Sequence, residues 1–324
     1  MYRTLSLCVS SLICTVLAYV PSALSQQAFP SKPIKIVVPF SPGGGGDLIA
    51  RKIATRLQER LRISVVVENR VGASGNIGAE YVLNSPPDGY TLLSTSSTFG
   101  VQAAVAKTSY DPIRDITPII GEARSRSLFL VSPTSKIHSV RDLIDIAKRE
   151  PGKISYGSAG VGAIAHMQTE WFAAVAGVKL MHVPYKGTSQ AYQDMLGGRI
   201  DLLPSNPVMA APLIKAGRVR ALAIGGTTRL PALPDVPTFA QAGLPTYDPS
   251  DWKALLGPKG IPADVVAKLN SEVNAVLKEK EFAAVLEADG SEPIGGTPEQ
   301  LLALIKSDVE RWRDLVKTQN IKLE

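Results

Sequence analysis

The chain has 324 residues, of which 45% are hydrophobic, 20% are charged and 6% are aromatic, and its formal net charge is +6. This length is enough for two domains with separate cores, and the composition is typical of a globular protein rather than a disordered one. Lys and Arg are scattered along the sequence and aromatic residues are few, so the positive charge does not predict a nucleic-acid partner.

The first residues of the chain have the pattern of a secretory signal peptide. A positive charge precedes a long apolar run, and Ala23 and Ser25 supply the small residues of a cleavage site. We therefore predict that residues 1–25 are removed near Ser25 on export, which the intact mass of the exported protein would check. An uncleaved anchor is the alternative, although the run is short and polar residues interrupt it. Cys8 and Cys14 both lie in this segment, so no disulfide is predicted for the mature chain.

After this segment the sequence predicts a strand, a glycine loop, a helix and a second strand. Residues 34–38 are apolar and β-branched, and four consecutive glycines follow in the loop 40–47. Between residues 49 and 61, Ile and Leu recur every four positions, which indicates one face of a helix, and residues 63–67 predict the next strand. Two strands joined in this way are expected to be parallel. Free N–H groups at the start of a helix favour an anion, although an isolated glycine run is more often a flexible turn.

The same pattern recurs along the rest of the chain. Further strands are predicted at 90–93, 128–131, 153–156, 178–183, 200–203, 219–224 and 252–256. At least four strands end at a loop of Gly, Ser or Pro residues that precedes a helix. The predicted fold class is therefore α/β. Because ligands of open α/β sheets bind beyond the carboxyl ends of the strands, these loops are the expected binding site.

Most cofactor and enzyme signatures are absent from the sequence. Residues 160–165 fit the glycine pattern of a dinucleotide site, but no acidic residue follows about 20 positions later to hold a ribose. The sequence contains neither a P-loop nor a nucleophile elbow, and its three histidines do not have the spacing of metal ligands. We therefore predict no cofactor and no metal. A secreted hydrolase that uses Ser158 and His166 stays open as an alternative; the other interpretation of His166 is a hydrogen-bonded structural residue.

Eight short motifs occur in a characteristic order. They are KPIKIVVPF at 32–40 with the glycine loop and Asp47, VENR at 67–70, GNIGAE at 75–80, PDGYTL at 87–92, HVPYKG at 182–187, GGRID at 197–201, GRVRAL at 217–222 and LPDVPT at 233–238. Together they resemble the Bug family, the periplasmic receptors of tripartite tricarboxylate transporters. The resemblance covers the whole chain after the signal peptide.

This resemblance implies a two-lobed periplasmic binding protein, similar to type II, with two strands crossing between the lobes. By analogy the crossings lie near residues 122–127 and 224–228. Lobe 1 then comprises residues 26–125 and 226–324, and lobe 2 comprises residues 126–225.

The resemblance also implies a function and a set of ligand contacts. Such a protein captures a small organic carboxylate, here a di- or tricarboxylate or an aromatic acid, and delivers it to an integral-membrane permease. It acts in the periplasm as a monomer; a receptor for a sensor kinase is the alternative. The loops 40–47 and 157–166 are expected to grip a ligand carboxylate from opposite lobes. The predicted ligand contacts are Phe40, Ser41, Gly43, Gly44, Gly45, Asp47, Ser96, Ser158, Ala159, Gly160, His166, Tyr185, Lys186, Ser205 and Asn206.

A few positions depart from the family pattern. Pro204 and Ser205 stand where the family often has Phe and Asp, Gly46 replaces a Thr or Ser, and Lys253 replaces an apolar or amide residue. Because no acid at position 205 could meet a ligand ammonium, we expect a ligand without positive charge. We interpret Lys253 as a solvated charge at the end of a strand.

Overall fold

The computed structural model describes residues 29–288 and 290–318, so the predicted signal peptide lies outside the described residues. In chain order the strands are β1 (Ile34–Val38), β2 (Val65–Asn69), β3 (Thr91–Ser96), β4 (Ile116–Arg126), β5 (Leu128–Val131), β6 (Ser155–Ser158), β7 (Met181–Pro184), β8 (Leu202–Ser205), β9 (Arg220–Ile224), β10 (Ser250–Pro258) and β11 (Ser291–Gly295). The helices are α1 (Gly45–Leu61), α2 (Asn76–Leu83), α3 (Thr98–Val105), α4 (Val140–Arg149), α5 (Ile164–Ala176), α6 (Thr188–Leu196), α7 (Pro207–Lys215), α8 (Ala263–Leu277), α9 (Lys280–Ala288) and α10 (Pro298–Thr318). None of these helices is long and apolar enough to cross a membrane.

The strands form two separate sheets, which we call the sheets of lobe 1 and lobe 2. The strand order is β11-β4-β10-β3-β1-β2 in lobe 1 and β7-β6-β8-β5-β9 in lobe 2. β1 pairs in parallel with β2 and β3, and β6 pairs in parallel with β7 and β8, as the predicted strand–loop–helix units require. β10 and β5 run antiparallel to their neighbours, so both sheets are mixed. The predicted α/β class is confirmed.

Both faces of the lobe 1 sheet are covered, which explains the uninterrupted apolar run of β1. Side chains alternate along a strand, so Ile34, Ile36 and Val38 pack in the core formed with α1 and α8. Val37 points to the opposite face and packs in the core formed with α2 and α10. All four side chains are at most 1% exposed. A strand buried on both faces reads as continuous hydrophobic sequence, because neither face meets water.

The two lobes are joined at two adjacent points. Ser127 links β4 to β5, at the end of the crossing predicted near residues 122–127. Its N–H donates to the carbonyl of Pro249 (3.1 Å), and its carbonyl accepts from the N–H of Gly225 (2.8 Å). These backbone bonds hold the two connections side by side, which is the arrangement expected of a hinge.

Residues 225–249 pack on lobe 2, whereas the analogy with the family placed the second crossing near residues 224–228 and residues 226–249 in lobe 1. Their apolar side chains are buried in the two cores of the lobe 2 sheet: Leu230, Leu233, Val236, Phe239, Leu244 and Tyr247. The ring of Phe239 packs edge-to-face against Phe129 of β5 and against Tyr247. We therefore propose that the second crossing lies between Pro249 and Ser250. The proline-rich sequence of this segment carried no strand or helix signal that would have revealed the packing.

Local sequence signals succeeded for α4 and failed for two C-terminal elements. The side chain of Ser139 accepts a hydrogen bond from the N–H of Asp142, as the predicted capping box requires. α9 and β11 were not predicted. β11 contains Pro293 and lies at the edge of the sheet, where a missing N–H is tolerated, so its sequence does not look like a strand.

Candidate functional site

A cleft lies between the two lobes, at the carboxyl ends of the parallel strands. It encloses about 1090 Å³, including open solvent at its mouth. Lobe 1 contributes the loop after β1 and the end of β3, and lobe 2 contributes the loops after β6, β7 and β8. This is the position expected for a ligand site in open α/β sheets.

Five helices have their first turn at the cleft. Gly45 of α1, Thr98 of α3, Ile164 of α5, Thr188 of α6 and Asn206 before α7 all line it. In the described structure the N-cap residues of α1, α3, α5 and α6 make no side-chain cap. Three N–H groups in the five first turns are nevertheless satisfied: Thr98 N–H donates to Ser96 Oγ (3.3 Å), Ile164 N–H donates to Thr98 Oγ1 (3.2 Å) and Met209 N–H of α7 donates to Asn206 Oδ1 (3.2 Å). Unsatisfied N–H groups at a helix start carry partial positive charge. Their convergence makes the cleft suited to an anion.

Most of the predicted ligand contacts line this cleft. They are Phe40, Ser41, Gly44, Gly45, Asp47, Ser96, Ala159, Lys186, Ser205 and Asn206. The residues Gly43, Ser158, Gly160, His166 and Tyr185 do not line it. Contact of any of these residues with a ligand stays a prediction.

Asp47 fixes the conformation of the glycine loop by hydrogen bonds. Its Oδ2 accepts from the N–H of Gly43 (2.9 Å) and from Arg51 Nε (2.9 Å), and its Oδ1 accepts from Asn69 Nδ2 (2.8 Å). Burial opposes ionisation, but these hydrogen bonds hold the pKa of Asp47 below its ordinary value. Gly43 has φ +79°, a conformation that glycine adopts at little cost. The carboxylate therefore fixes the loop that presents the first turn of α1 to the cleft.

Ser158 and His166 do not form the pair that the hydrolase alternative requires. The Oγ of Ser158 donates to the carbonyl of Gly160 (2.9 Å) and lies 2.7 Å from Nε2 of His182, on the neighbouring strand β7. His166 Nδ1 instead accepts from the N–H of Gly162 (2.9 Å), across the first turn of α5. The hydrogen bond that the other interpretation of His166 expects is therefore present, and contact of His166 with a ligand stays a prediction.

The two imidazoles stack on each other, with ring centroids 3.9 Å apart. Burial lowers the pKa of His182 to about 4, and burial with the neighbouring His182 lowers the pKa of His166 to about 3. Both rings are therefore neutral near pH 7, so they add no cation to the site.

Lys253 is buried at the cleft, and its interpretation as a solvated charge is wrong. The residue is 3% exposed and lines the cleft. Its Nζ donates to Asp251 Oδ2 (3.0 Å) and to Ser125 Oγ (3.0 Å). β10 lies between β3 and β4 rather than at an edge, and Gln168 of lobe 2 donates to the carbonyl of its first residue, Ser250 (2.7 Å). The alternating polar residues at 251 and 253 gave no sign of a central strand.

Glu122 lies fully buried behind the cleft wall. Its Oε2 accepts from the hydroxyl of Ser94 (2.9 Å), which itself lines the cleft, and its Oε1 has no partner in the described part of the chain. Lys253 pairs with Ala123, and the next residue, Ala254, pairs with Gly121. Glu122 is therefore the extra, unpaired residue of a β-bulge. Burial raises its pKa to about 7, although the Ser94 hydrogen bond and the Lys253 charge oppose the shift.

Sequence reasoning missed several other residues that line the cleft. They are Ser94, Thr95, Thr98, Ser127, Gln168, Met209 and Asp251. Ser94 and Thr95 were read as a turn, whereas β3 continues to Ser96. The hydroxyl-rich stretch was the one available signal, because short hydroxyls beyond a strand are suited to polar ligands.

Hydrogen bonds join the rims of the two lobes. The carbonyl of Val161 accepts from Ser74 Oγ (2.8 Å) and from Gln102 Nε2 (3.1 Å), both of lobe 1. The neighbouring glycines permit this approach, since a Cβ at Gly160 would lie 2.8 Å from Ser74 Oγ and one at Gly162 would lie 2.4 Å from Gln102 Nε2. The lobes are therefore closed on each other, and a side chain at Gly160 would meet the opposite lobe rather than the cleft.

The family model of the tripartite tricarboxylate transporter family receptor matches residues 49–321. The chain belongs to this family. BugT of Bordetella pertussis is 33% identical over 310 residues, which cover 95% of each chain. The resemblance to the Bug family predicted from the sequence motifs is therefore confirmed.

Three solved structures of this family have the same two-lobed fold. A periplasmic transporter is 41% identical, with a TM-score of 0.88 over 92% of this chain and 100% of its own. Rpa4515 of R. palustris, solved with adipate, is 37% identical, with a TM-score of 0.86 over 90% of this chain and 99% of its own. MatC of Rhodopseudomonas palustris, solved with bound malate, is 29% identical, with a TM-score of 0.84 over 89% and 100%. The predicted two-lobed periplasmic binding fold is therefore confirmed.

Proposed function

We propose that this protein is a periplasmic receptor that captures a small organic carboxylate and delivers it to the membrane permease of a tripartite tricarboxylate transporter. The observation that carries the proposal is the convergence of five helix N-termini on one cleft between two lobes. The family receptors Rpa4515 and MatC, which hold adipate and malate, support a carboxylate ligand. Export through the predicted leader and action as a monomer are part of the same proposal.

Backbone amides alone can supply the affinity that such a receptor needs. Micromolar binding requires about 8 kcal/mol, and a hydrogen bond to a charged group contributes about 1.5–3 kcal/mol. Four or five amide contacts to a carboxylate, aided by helix dipoles of up to about 1–2 kcal/mol each, reach this range. Association also costs entropy, so closure of the lobes around the ligand contributes to tight binding.

Binding without turnover is favoured by the position of the Ser158–His182 contact, the serine–histidine hydrogen bond of the described residues. Ser158 is 1% exposed, does not line the cleft and has its hydroxyl engaged by Gly160. A nucleophile must reach its substrate, and its general base is usually oriented by a third group. His182 packs against two rings, those of Tyr156 and His166. These features support a receptor rather than the hydrolase alternative.

Among the described residues, the two acids that line the cleft, Asp47 and Asp251, are both already hydrogen-bonded, so neither is free to meet a ligand ammonium. Asp251 is the acid best placed to meet one, but its Oδ1 accepts from the N–H and the Oγ of Ser97 (3.2 and 2.6 Å) and its Oδ2 accepts from Lys253. The hydroxyl of Ser205 is engaged by Tyr192 (2.6 Å). An unmet buried ammonium is costly, so we propose a ligand without positive charge.

A thermal-shift screen of the purified, ligand-stripped protein tests this proposal. Succinate, adipate, citrate and benzoate would be compared with aspartate and glutamate. An acid at a hundred times its dissociation constant is expected to stabilise the protein by about 2.7 kcal/mol, a shift of several degrees. Stabilisation by aspartate or glutamate alone, or by none of the six compounds, would contradict the proposal.

A further inference from the structure

The ammonium group of Lys253 lies at the cleft and has one hydrogen-bond donor more than its acceptors in the described structure use. Two acceptors in the described structure, Asp251 and Ser125, use two of the three ammonium protons. Asp251 is also bound twice by Ser97, through its other oxygen. Glu122, the buried acid nearby, is hydrogen-bonded to Ser94 and makes no ion pair with Lys253 in the described residues. One ammonium proton is therefore free to meet a ligand.

The lysine lies beside the start of α1, in the same lobe. A Cβ placed on Gly46 would lie 4.0 Å from Lys253 Cε, so the missing side chain at this position leaves the ammonium open to the first turn of the helix. Lys186, the other lysine that lines the cleft, is exposed and lies in lobe 2 after β7. Lys253 is therefore the buried cation of the cleft wall in lobe 1.

A buried lysine is costly unless its charge has a use. Removing an ammonium from water is unfavourable, and replacing a buried ion pair by apolar residues of similar volume often leaves a protein as stable or more stable. The helix N-termini already provide enough donors for one carboxylate. An additional full positive charge matches a ligand that carries a second acidic group.

We propose that Lys253 binds the second carboxylate of a ligand whose first carboxylate is held by the helix N-termini, so that it selects diacids and triacids over monoacids. This inference rests on the proposed function, because it assumes that the cleft binds a carboxylate. It narrows the expected ligand to acids with two or more carboxylates and assigns that selectivity to one side chain.

Matched pairs of acids test the selectivity by calorimetry. Adipate and hexanoate share a six-carbon chain and differ by one carboxylate, and succinate and butyrate form a second pair of four carbons. The wild-type protein is expected to bind at least one diacid ten-fold or more tighter than its monoacid partner. Lys253→Met should lower diacid affinity at least ten-fold and leave monoacid affinity within about three-fold, whereas Lys253→Arg should keep the preference.

A second variant guards against a folding defect, because Lys253→Met leaves the Asp251 carboxylate without its cation. Lys253→Met with Asp251→Asn removes both charges and should show the same loss of diacid preference. If no acid binds the wild-type protein, the proposed function fails. Three other results would overturn only the role of Lys253. The wild-type protein could bind acids without preferring diacids, the single and double variants could both keep the diacid preference, or both variants could lose diacid and monoacid affinity equally.

Discussion

Gly44→Asp is expected to weaken binding of a diacid such as adipate by two to three orders of magnitude and to leave the protein folded. Gly44 lines the cleft and is the N-cap of α1, with φ −75° and ψ 162°. Every residue type can adopt this conformation, and a Cβ there would meet only the Ser41 carbonyl, at 3.6 Å. Aspartate is also a favoured N-cap, so the helix itself should gain stability.

The loss of affinity has an electrostatic cause. Two like charges about 4 Å apart repel by about 4 kcal/mol at an effective dielectric constant of about 20, and solvent screening at the open cleft reduces this value. The added carboxylate also accepts the N–H groups that the ligand would use.

Calorimetry with adipate measures the affinity, and thermal unfolding of the ligand-free variant checks the fold. Gly44→Asn is the matched control, because it has nearly the same shape and caps the helix without charge. It should lose at least ten-fold less affinity than Gly44→Asp. Equal affinities in wild type and both variants would show that this loop is not the site. Gly160 offers no such test, since its φ of +125° and its closeness to Ser74 make any side chain there a strain.

Glu122→Gln is expected to raise the free energy of unfolding by roughly 3 kcal/mol at pH 8 and to change it little at pH 5. Burial raises the pKa of Glu122 from an ordinary 4.5 to about 7. The folded protein therefore binds this proton more tightly than the unfolded chain does. The resulting stability is fully present below about pH 4.5 and is lost as the pH rises through 7.

The glutamine variant removes this dependence because it cannot ionise. It can still accept the Ser94 hydrogen bond through its amide oxygen. The Lys253 charge opposes the shift in the wild-type protein and remains in the variant. Urea unfolding at pH 5 and pH 8 measures the difference, and Glu287→Gln, the same change at an exposed position, is the control. The same pH dependence in wild type and Glu122→Gln would mean that Glu122 stays ionised in the folded protein.

Features set by neighbouring residues in the chain could be predicted from the sequence. The strand β1, its glycine loop and α1 follow from apolar alternation, β-branched residues and the four-residue spacing of Ile and Leu. The Ser139 cap depends on residues within one helical turn. The positions of Phe40, Ser41 and Ser205 at the cleft follow because the loops after parallel strands meet at one edge.

Features that depend on distant parts of the chain could not be predicted in this way. The burial of Lys253 requires β10 to insert between β3 and β4, which come from more than 100 residues earlier. The contact of Ser158 with His182 depends on the pairing of β6 with β7, whereas the sequence made the nearer His166 look like the partner. The bulge that buries Glu122 is likewise a property of the paired strands, not of its local sequence.

Capture of a carboxylate by closure of the two lobes is tested most directly by small-angle X-ray scattering. The hinge at Ser127 and Pro249 and the rim bonds to Val161 describe a closed state that a bound ligand would stabilise. We expect the ligand-free protein to have a larger radius of gyration than this closed structure. Saturation with the acid that gives the largest thermal shift should bring the radius to the closed value, and the same addition should not do so for Gly44→Asp. An identical radius of gyration with and without bound acid would contradict capture by closure of the lobes.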